Sequence, residues 1–83
     1  VLRKQIDEID EQLLTILAKR NRISREIGMY KKENNMPVLQ TGRYNEILEK
    51  RAQMGEAMNL DKEFVFAIMK AIHEESVKIQ LAL

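Results

Sequence analysis

Apolar side chains recur along the first part of the chain at spacings that alternate between four and three residues. Eight of nine successive positions in this series are apolar, and the series reads Leu2, Ile6, Ile9, Leu13, Ile16, Arg20, Ile23, Ile27 and Tyr30. This alternation is the period of a coiled-coil seam. The pattern therefore predicts one long helix with an apolar stripe that a single cation, Arg20, interrupts.

The rest of the chain divides at residues that end or cap helices. Pro37, the only proline, follows the sequence ENNM and ends the first helix. Thr41 is the predicted N-cap of a second helix, and Gly55 and Asn59 mark its end. Asn59 or Asp61 is then the predicted N-cap of a third helix, which runs to the C-terminus.

We predict an all-α fold of three helices, one very long, one short and one medium, in a single domain of 83 residues. The predicted helices cover about residues 2–34, 42–56 and 60–82. Only three glycines and one proline occur, as expected of a helical chain. The first residue is Val1, which is compatible with a domain excised from a longer chain.

The first helix is too long for its own chain to cover. At 1.5 Å per residue it is roughly 50 Å long, whereas a compact chain of this size has a radius of gyration of about 12 Å. Another chain, or the rest of a larger protein, must therefore cover its stripe. The seam pattern favours the first option, a helical homodimer packed along the first helices.

Composition narrows the class of function. The formal net charge is +1, from 14 basic and 13 acidic residues, which gives no support to a nucleic-acid-binding or membrane-surface role. The chain has no cysteine, so disulfides and thiolate chemistry are excluded and a cytoplasmic location is expected. No apolar run approaches the ~18 residues of a membrane span, and no signal peptide is present.

Two cations point to the same side of the first helix. Lys31 follows Arg20 by 11 residues, which is three turns and about 20°, and Ser24 and Ile27 lie between them on that side. A buried arginine without an anionic partner is costly. Two interpretations stay open. Either Arg20 sets the register or reaches a carboxylate such as Asp10 of another helix, or both cations face a bound anion.

Four further polar positions raise the same question. Ser76 and Gln80 share one side of the third helix, either as ordinary residues near a helix end or as groups that line a cavity. Arg43, in the first turn of the second helix, opposes the helix dipole, and it is either a solvated arginine or a cation whose small cost a bound anion removes. Arg3 is about 25 Å from Arg20 along the axis, so an antiparallel partner helix would be needed to bring it to the same site.

Other catalytic signatures are missing from the sequence. His73, the only histidine, has no cysteine or carboxylate cluster near it at metal spacing and is interpreted as a surface or rim residue. The sequence has no Gly-rich phosphate loop, nucleophile elbow or paired-carboxylate signature. Covalent and metal-assisted mechanisms therefore find no support in it.

Four segments together resemble the all-helical chorismate mutases, which are intertwined three-helix dimers. The segments are LRKQIDEIDEQLLTILAKR at residues 2–20, IGMYKK at 27–32, PV followed by GRYNEILEKR at 37–51, and EESVKIQ at 74–80. The resemblance covers nearly the whole chain. It implies an isomerase of aromatic amino-acid biosynthesis, in the shikimate pathway, that converts chorismate to prephenate by a Claisen rearrangement without a metal or an organic cofactor.

The resemblance also implies which residues bind the dicarboxylate substrate. Arg20 resembles the arginine that pairs with one carboxylate, and Ser76 resembles a hydroxyl that contacts a carboxylate. Arg43 resembles a further cation of the pocket. Arg3 resembles an arginine that the other subunit donates, so that the homodimer would have shared active sites.

The resemblance assigns the chemical step to Lys31 and Gln80, which resemble the pair that hydrogen-bonds the ether oxygen as the C–O bond breaks. Two positions depart from the family pattern. Gln40 stands where the family has an acidic residue, and Tyr44 stands where it has a glutamate that contacts the ring hydroxyl of the substrate. We predict that Gln40 and Tyr44 both bind the substrate, each through a hydrogen bond different from that of the family residue it replaces. For Tyr44, packing in the core is the alternative.

Two alternative functions stay open. One is an isochorismate pyruvate lyase, a relative with the same fold and a similar cationic pocket. The departures at Gln40 and Tyr44 bear on this choice, because the position of the substrate hydroxyl distinguishes the two substrates. The other is a non-catalytic dimerisation or regulatory module of a fused or associated shikimate-pathway enzyme.

Overall fold

The computed structural model describes the backbone of residues 1–83 and every side chain except that of Thr41. It contains three helices, which are α1 (Leu2–Glu33), α2 (Thr41–Ala57) and α3 (Lys62–Leu81). The predicted all-α fold of one long, one short and one medium helix is confirmed. The predicted helix bounds differ from the observed ones by two residues or fewer at each end.

Short polar residues end and begin the helices. Asn34 is the C-cap of α1, and Asn35 after it has a φ of 55°, in the left-handed region that asparagine tolerates. Asn59 has a φ of 63° just after α2. Asp61 caps α3, because its side chain accepts a hydrogen bond of 3.0 Å from the backbone N–H of Phe64. Of the two predicted caps of α3, Asp61 is the one that the structure uses.

Helix α3 is the central helix, and both other helices pack against it. It runs parallel to the second half of α1, because hydrogen bonds join Arg20 to Ser76 and, one turn further along both helices, Ser24 to Gln80. The second half of α1 and the end of α3 therefore form one continuous wall.

Helix α2 packs on α3 in the antiparallel direction. Gly55 lies in the last turn of α2, near the predicted end of the helix, and a Cβ atom on Gly55 would meet Cγ2 of Val65 at 2.6 Å. The missing side chain lets the two helices approach at this point, where Ala52 and Val65 are buried. Gln40 holds the N-cap position of α2, whereas the cap predicted at Thr41 depends on a side chain outside the described part of the chain.

The apolar stripe of α1 is exposed along its whole length. Only Ser24 and Gly28 of this helix are buried, and the eight apolar stripe residues are 45% to 75% exposed. The molecule extends over 50 Å and its radius of gyration is 15.0 Å, above the ~12 Å of a compact chain of this length. One chain thus leaves its stripe uncovered, as expected, and the homodimer stays a prediction. No helix among the described residues is long and apolar enough to cross a membrane.

Candidate active site

A cavity of about 630 Å³ lies between the wall formed by α1 and α3, the first turns of α2 and the loop that precedes α2. Seven of the eight predicted site residues line it, namely Arg20, Lys31, Gln40, Arg43, Tyr44, Ser76 and Gln80. The eighth, Arg3, lies in the exposed first turn of α1 and does not line the cavity of its own chain. Residues far apart in sequence are thus brought to one place by all three helices.

Arg20 reaches from α1 to α3. Its Nη1 donates a hydrogen bond of 2.8 Å to Oγ of Ser76, which is buried. Burial lowers the pKa of Arg20, and the positive charge of Arg51 lowers it further. Because a hydroxyl is neutral, this contact orients the guanidinium without compensating its charge. A bound anion would supply the missing compensation.

Lys31 ties the end of α1 to the loop before α2. Its Nζ donates a hydrogen bond of 3.0 Å to the carbonyl oxygen of Val38. The backbone N–H of Met36 in turn donates to the carbonyl oxygen of Lys31 at 2.8 Å. An ammonium group has three N–H donors, so the contact with Val38 uses one of them and fixes the position of the others.

Gln80 lines the cavity from α3, beside Ser24 of α1. Its Nε2 donates a hydrogen bond of 3.1 Å to Oγ of Ser24. Its Oε1 is buried and has no hydrogen-bond partner among the described residues. Buried polar atoms without a partner are rare in proteins. The amide of Gln80 therefore has hydrogen-bonding capacity that the described residues leave unused.

The interpretation of His73 as a surface or rim residue is wrong. His73 is half-buried, lines the cavity and stacks on Tyr44, with ring centroids 3.8 Å apart and ring planes at 20°. Its Nε2 is buried without a hydrogen-bond partner among the described residues. Burial lowers the pKa of His73, and the charges of Arg20 and Lys31 lower it too, against an opposing effect of Glu74. His73 therefore presents an uncharged ring to the cavity near neutral pH.

Spacing in the sequence offered a signal for two lining residues that were not predicted. His73 precedes Ser76 by three residues and Gln80 by seven, which places all three on one face of α3. Arg51 follows Arg43 by eight residues, about two turns of α2, and also lines the cavity. His73 and Arg51 could therefore have been predicted by following the helix faces that carry Ser76 and Arg43 for one or two further turns.

The charge of the cavity has one sign. Four cations line it, Arg20, Lys31, Arg43 and Arg51, and none of the described lining residues is Asp or Glu. The net charge of the whole chain is only +1, so positive charge is concentrated here and balanced elsewhere. This lining suits a small ligand with more than one negative charge and with oxygen atoms that accept hydrogen bonds.

Comparison with known proteins gives one consistent answer. Residues 2–81 match the family described as chorismate mutase type II. The chain is 35% identical over 82 residues to the bifunctional chorismate mutase/prephenate dehydratase of Escherichia coli (strain K12), which is 99% of this chain and 21% of that protein. It is 33% identical over 78 residues, 94% of this chain and 20% of the relative, to the protein of the same description from Buchnera aphidicola subsp. Schizaphis graminum (strain Sg).

A relative with a different printed description matches as well. The chain is 31% identical over 75 residues to the T-protein of Enterobacter agglomerans, which is 90% of this chain and 20% of that protein. The chain thus spans about a fifth of the length of these curated relatives. The resemblance identified from its segments is confirmed, and the chain belongs to the chorismate mutase type II family.

Proposed function

We propose that this domain is a chorismate mutase, an enzyme that converts chorismate to prephenate by a Claisen rearrangement. The observation that carries the proposal is the cavity of four cations without a carboxylate among its described lining residues, in a chain of the chorismate mutase type II family. The substrate is a small dicarboxylate, and its two negative charges match this lining. In the reaction the ether C–O bond breaks and a C–C bond forms within one molecule, so no nucleophile or proton transfer is needed.

Such a reaction is accelerated by restraint and by electrostatic complementarity. Holding the flexible substrate in its reactive conformation removes much of the entropic part of the barrier. Fixed donors then stabilise the negative charge that develops on the ether oxygen. We assign these donors to Lys31 and Gln80, which line the cavity from α1 and α3 and are each oriented by one hydrogen bond. Arg20, oriented by Ser76, pairs with a carboxylate.

The remaining predicted binding residues line the α2 side of the cavity. Arg43 supplies a further cation, and Gln40 supplies an amide in place of an acidic residue. Tyr44 stands where the family pattern has a glutamate, and its ring is stacked with that of His73. We propose that these two rings and Gln40 form the uncharged side of the site, against which the ring hydroxyl of the substrate binds.

We propose that the domain acts as a homodimer with shared sites. Ile23, Ile27 and Tyr30 border the cavity and also belong to the exposed stripe of α1, so a helix that covers the stripe also covers the open side of the cavity. Arg3 lies in the first turn of α1 and the cavity lies beside its second half, so an antiparallel partner helix would bring the partner chain's Arg3 towards the cavity. This supports the prediction that Arg3 acts in the site of the other chain.

Coexpression of two inactive variants tests the sharing of sites. If Arg3→Ala and Arg20→Ala chains are each inactive, their mixed dimers contain one site with both arginines intact. Activity should therefore return when the two chains are expressed together. No return of activity in dimers shown to be mixed would contradict the assignment of Arg3 to the partner's site.

The partner enzyme and the location belong to the same proposal. The relatives from Escherichia coli and Buchnera aphidicola carry the descriptions chorismate mutase and prephenate dehydratase in one protein, which supports a fused or associated shikimate-pathway domain for this chain too. A cytoplasmic location, predicted from the absence of cysteine, stays a prediction.

A product assay tests the proposed activity. The purified chain is incubated separately with chorismate and with isochorismate, and prephenate and pyruvate are measured. Prephenate from chorismate is the expected result. Pyruvate from isochorismate would instead support the lyase, and neither product from a folded chain would contradict an independent catalytic function for this domain.

A further inference from the structure

Gln80 is held by two residues of α1 to which no role has been assigned so far. Ser24 and Gly28 are both buried, and they are four residues apart, one turn of the helix. We propose that Ser24 and Gly28 are positioning residues that fix the amide of Gln80 in the orientation in which it donates to the substrate. The inference rests on the proposed function, since it specifies how Gln80 performs its part.

Ser24 fixes the direction of the amide. The residue is 4% exposed, and its Oγ accepts the hydrogen bond of 3.1 Å from Nε2 of Gln80. A primary amide nitrogen carries two N–H donors, so this contact uses one and leaves the second. Because the amide group is planar, fixing the first N–H also fixes the direction of the second.

Gly28 fixes the position of the Gln80 backbone. A Cβ atom on Gly28 would lie 2.8 Å from Cγ and 3.1 Å from Cα of Gln80, and 2.8 Å from Cδ1 of Leu83. A flexible side-chain end can move away from such an atom, whereas Cα of Gln80 can move only if α3 moves. The absence of a side chain at Gly28 therefore sets how closely α3 approaches α1 at the residue that carries the amide.

The hydrogen bond between Gln80 and Ser24 has the same form as the one between Arg20 and Ser76 one turn earlier, with the roles of α1 and α3 exchanged. Ser76 of α3 accepts a hydrogen bond from Arg20 of α1, and Ser24 of α1 accepts one from Gln80 of α3. In each pair a buried serine on one helix orients a long cavity-lining side chain of the other. A glutamine side chain without such a contact samples several rotamers, and a donor that is displaced by about 1 Å loses much of its effect on the rate.

Removal of the Ser24 hydroxyl tests the proposal. Alanine is the best helix former, so Ser24→Ala is expected to fold, and its thermal unfolding is measured alongside. We expect kcat for chorismate to fall about tenfold, the effect of one lost orienting hydrogen bond, with KM changed less than about twofold. Thr15→Ala is the matched control. It removes an exposed hydroxyl of the same helix, which bonds only the carbonyl oxygen of Glu11, and should leave both constants unchanged.

A second background separates positioning from a general structural effect. In a Gln80→Ala chain, Ser24→Ala should cause no further loss of kcat, because the side chain that it orients is gone. An equal loss in both backgrounds would overturn the proposal, as would an unchanged kcat for Ser24→Ala in an active parent. A folded parent chain that forms no prephenate would overturn the proposed function itself, and the parent is measured first so that the two failures are distinct.

Discussion

The guanidinium of Arg20 donates its inter-helix hydrogen bond to the hydroxyl of Ser76, a neutral group, at 2.8 Å. A structural arginine that joins two helices is expected to meet a carboxylate, since a charged partner compensates the loss of hydration. Here burial and the charge of Arg51 both lower the pKa of Arg20. The site therefore holds a cation in place at some cost to folding, which is the arrangement expected of a ligand-binding residue.

Replacement of Arg20 should separate activity from stability. In Arg20→Ala we expect weaker substrate binding by roughly 1.5–3 kcal/mol, the range for hydrogen bonds to charged groups, seen as a higher KM. The thermal unfolding midpoint should change little, because the lost hydrogen bond to Ser76 is offset by the removal of a partly buried charge without a charged partner. Arg25→Ala, an exposed arginine of α1 outside the cavity lining, is the control for KM. A lower midpoint with an unchanged KM would identify Arg20 as structural.

The ionisation of His73 reports the charge of the cavity directly. Its pKa should lie below the ordinary value of about 6.5, chiefly because of burial and then because of the charge of Arg20. Arg20→Ala should raise this pKa, whereas Glu74→Gln should lower it further, since Glu74 has the opposite effect. Proton NMR of the single histidine gives these values without ambiguity. Shifts in the same direction for both variants would contradict the electrostatic description.

The same pKa predicts how stability depends on pH. The folded pKa of His73 is lower than the unfolded one, so unfolding takes up a proton and low pH favours the unfolded state. The contribution is fully present above the unfolded pKa of about 6.5 and is lost as the pH falls towards the lower folded value. Denaturation of the parent and of His73→Gln is measured across this pH range. The free energy of unfolding should fall more steeply with falling pH in the parent.

Gln80→Glu should make the rate depend on pH. Only a protonated carboxyl can donate a hydrogen bond to the ether oxygen, so the rate should fall as the pH rises through the pKa of the new carboxyl. The four cations among the described lining residues favour the ionised form of the new carboxyl at position 80, whereas a bound dianion favours its protonated form. Gln53→Glu, the same change at an exposed position of α2, should leave the profile of the parent unchanged. A flat profile with full activity in Gln80→Glu would contradict the role of Gln80.

Two glycines should respond to alanine in opposite directions. Gly28→Ala forces a Cβ atom against the backbone of Gln80, and overpacking of this kind typically costs ~1–3 kcal/mol. Gly42 lies in the exposed first turn of α2, and a Cβ atom there would meet nothing within 4 Å, so Gly42→Ala should stabilise the chain, by less than the ~0.5–1 kcal/mol of a helix interior. Urea denaturation at one fixed protein concentration measures both. Equal effects would contradict the close approach of α1 and α3 at Gly28.

Helical periodicity predicted much of the cavity because it sets the direction of each side chain on its own helix. The spacing of 11 residues placed Lys31 on the side of Arg20, and both line the cavity. Gly55 was predicted to mark the end of α2, which ends two residues later, but its second role in a close helix crossing depends on the packing against Val65, which periodicity does not show.

Contacts between helices were beyond the reach of periodicity. The stacking of His73 on Tyr44 depends on how α2 crosses α3, and the sequence shows no partner for a lone histidine. Ser24 was placed on the correct side of α1, but its hydrogen bond with Gln80 depends on the parallel register of α1 and α3. The direction of a residue could therefore be predicted, whereas its partner could not.

Two adjacent lysines allow the most direct test of the proposal that the cavity is an active site. Lys31 lines it, whereas Lys32 is exposed, does not line it, and bonds the carbonyl oxygen of Leu83. We would measure prephenate formation from chorismate by the parent, by Lys31→Ala and by Lys32→Ala. We expect a loss of ~10²–10³ in kcat for Lys31→Ala and nearly unchanged activity for Lys32→Ala. Equal activities of the two folded variants would contradict the assignment of this cavity as the active site.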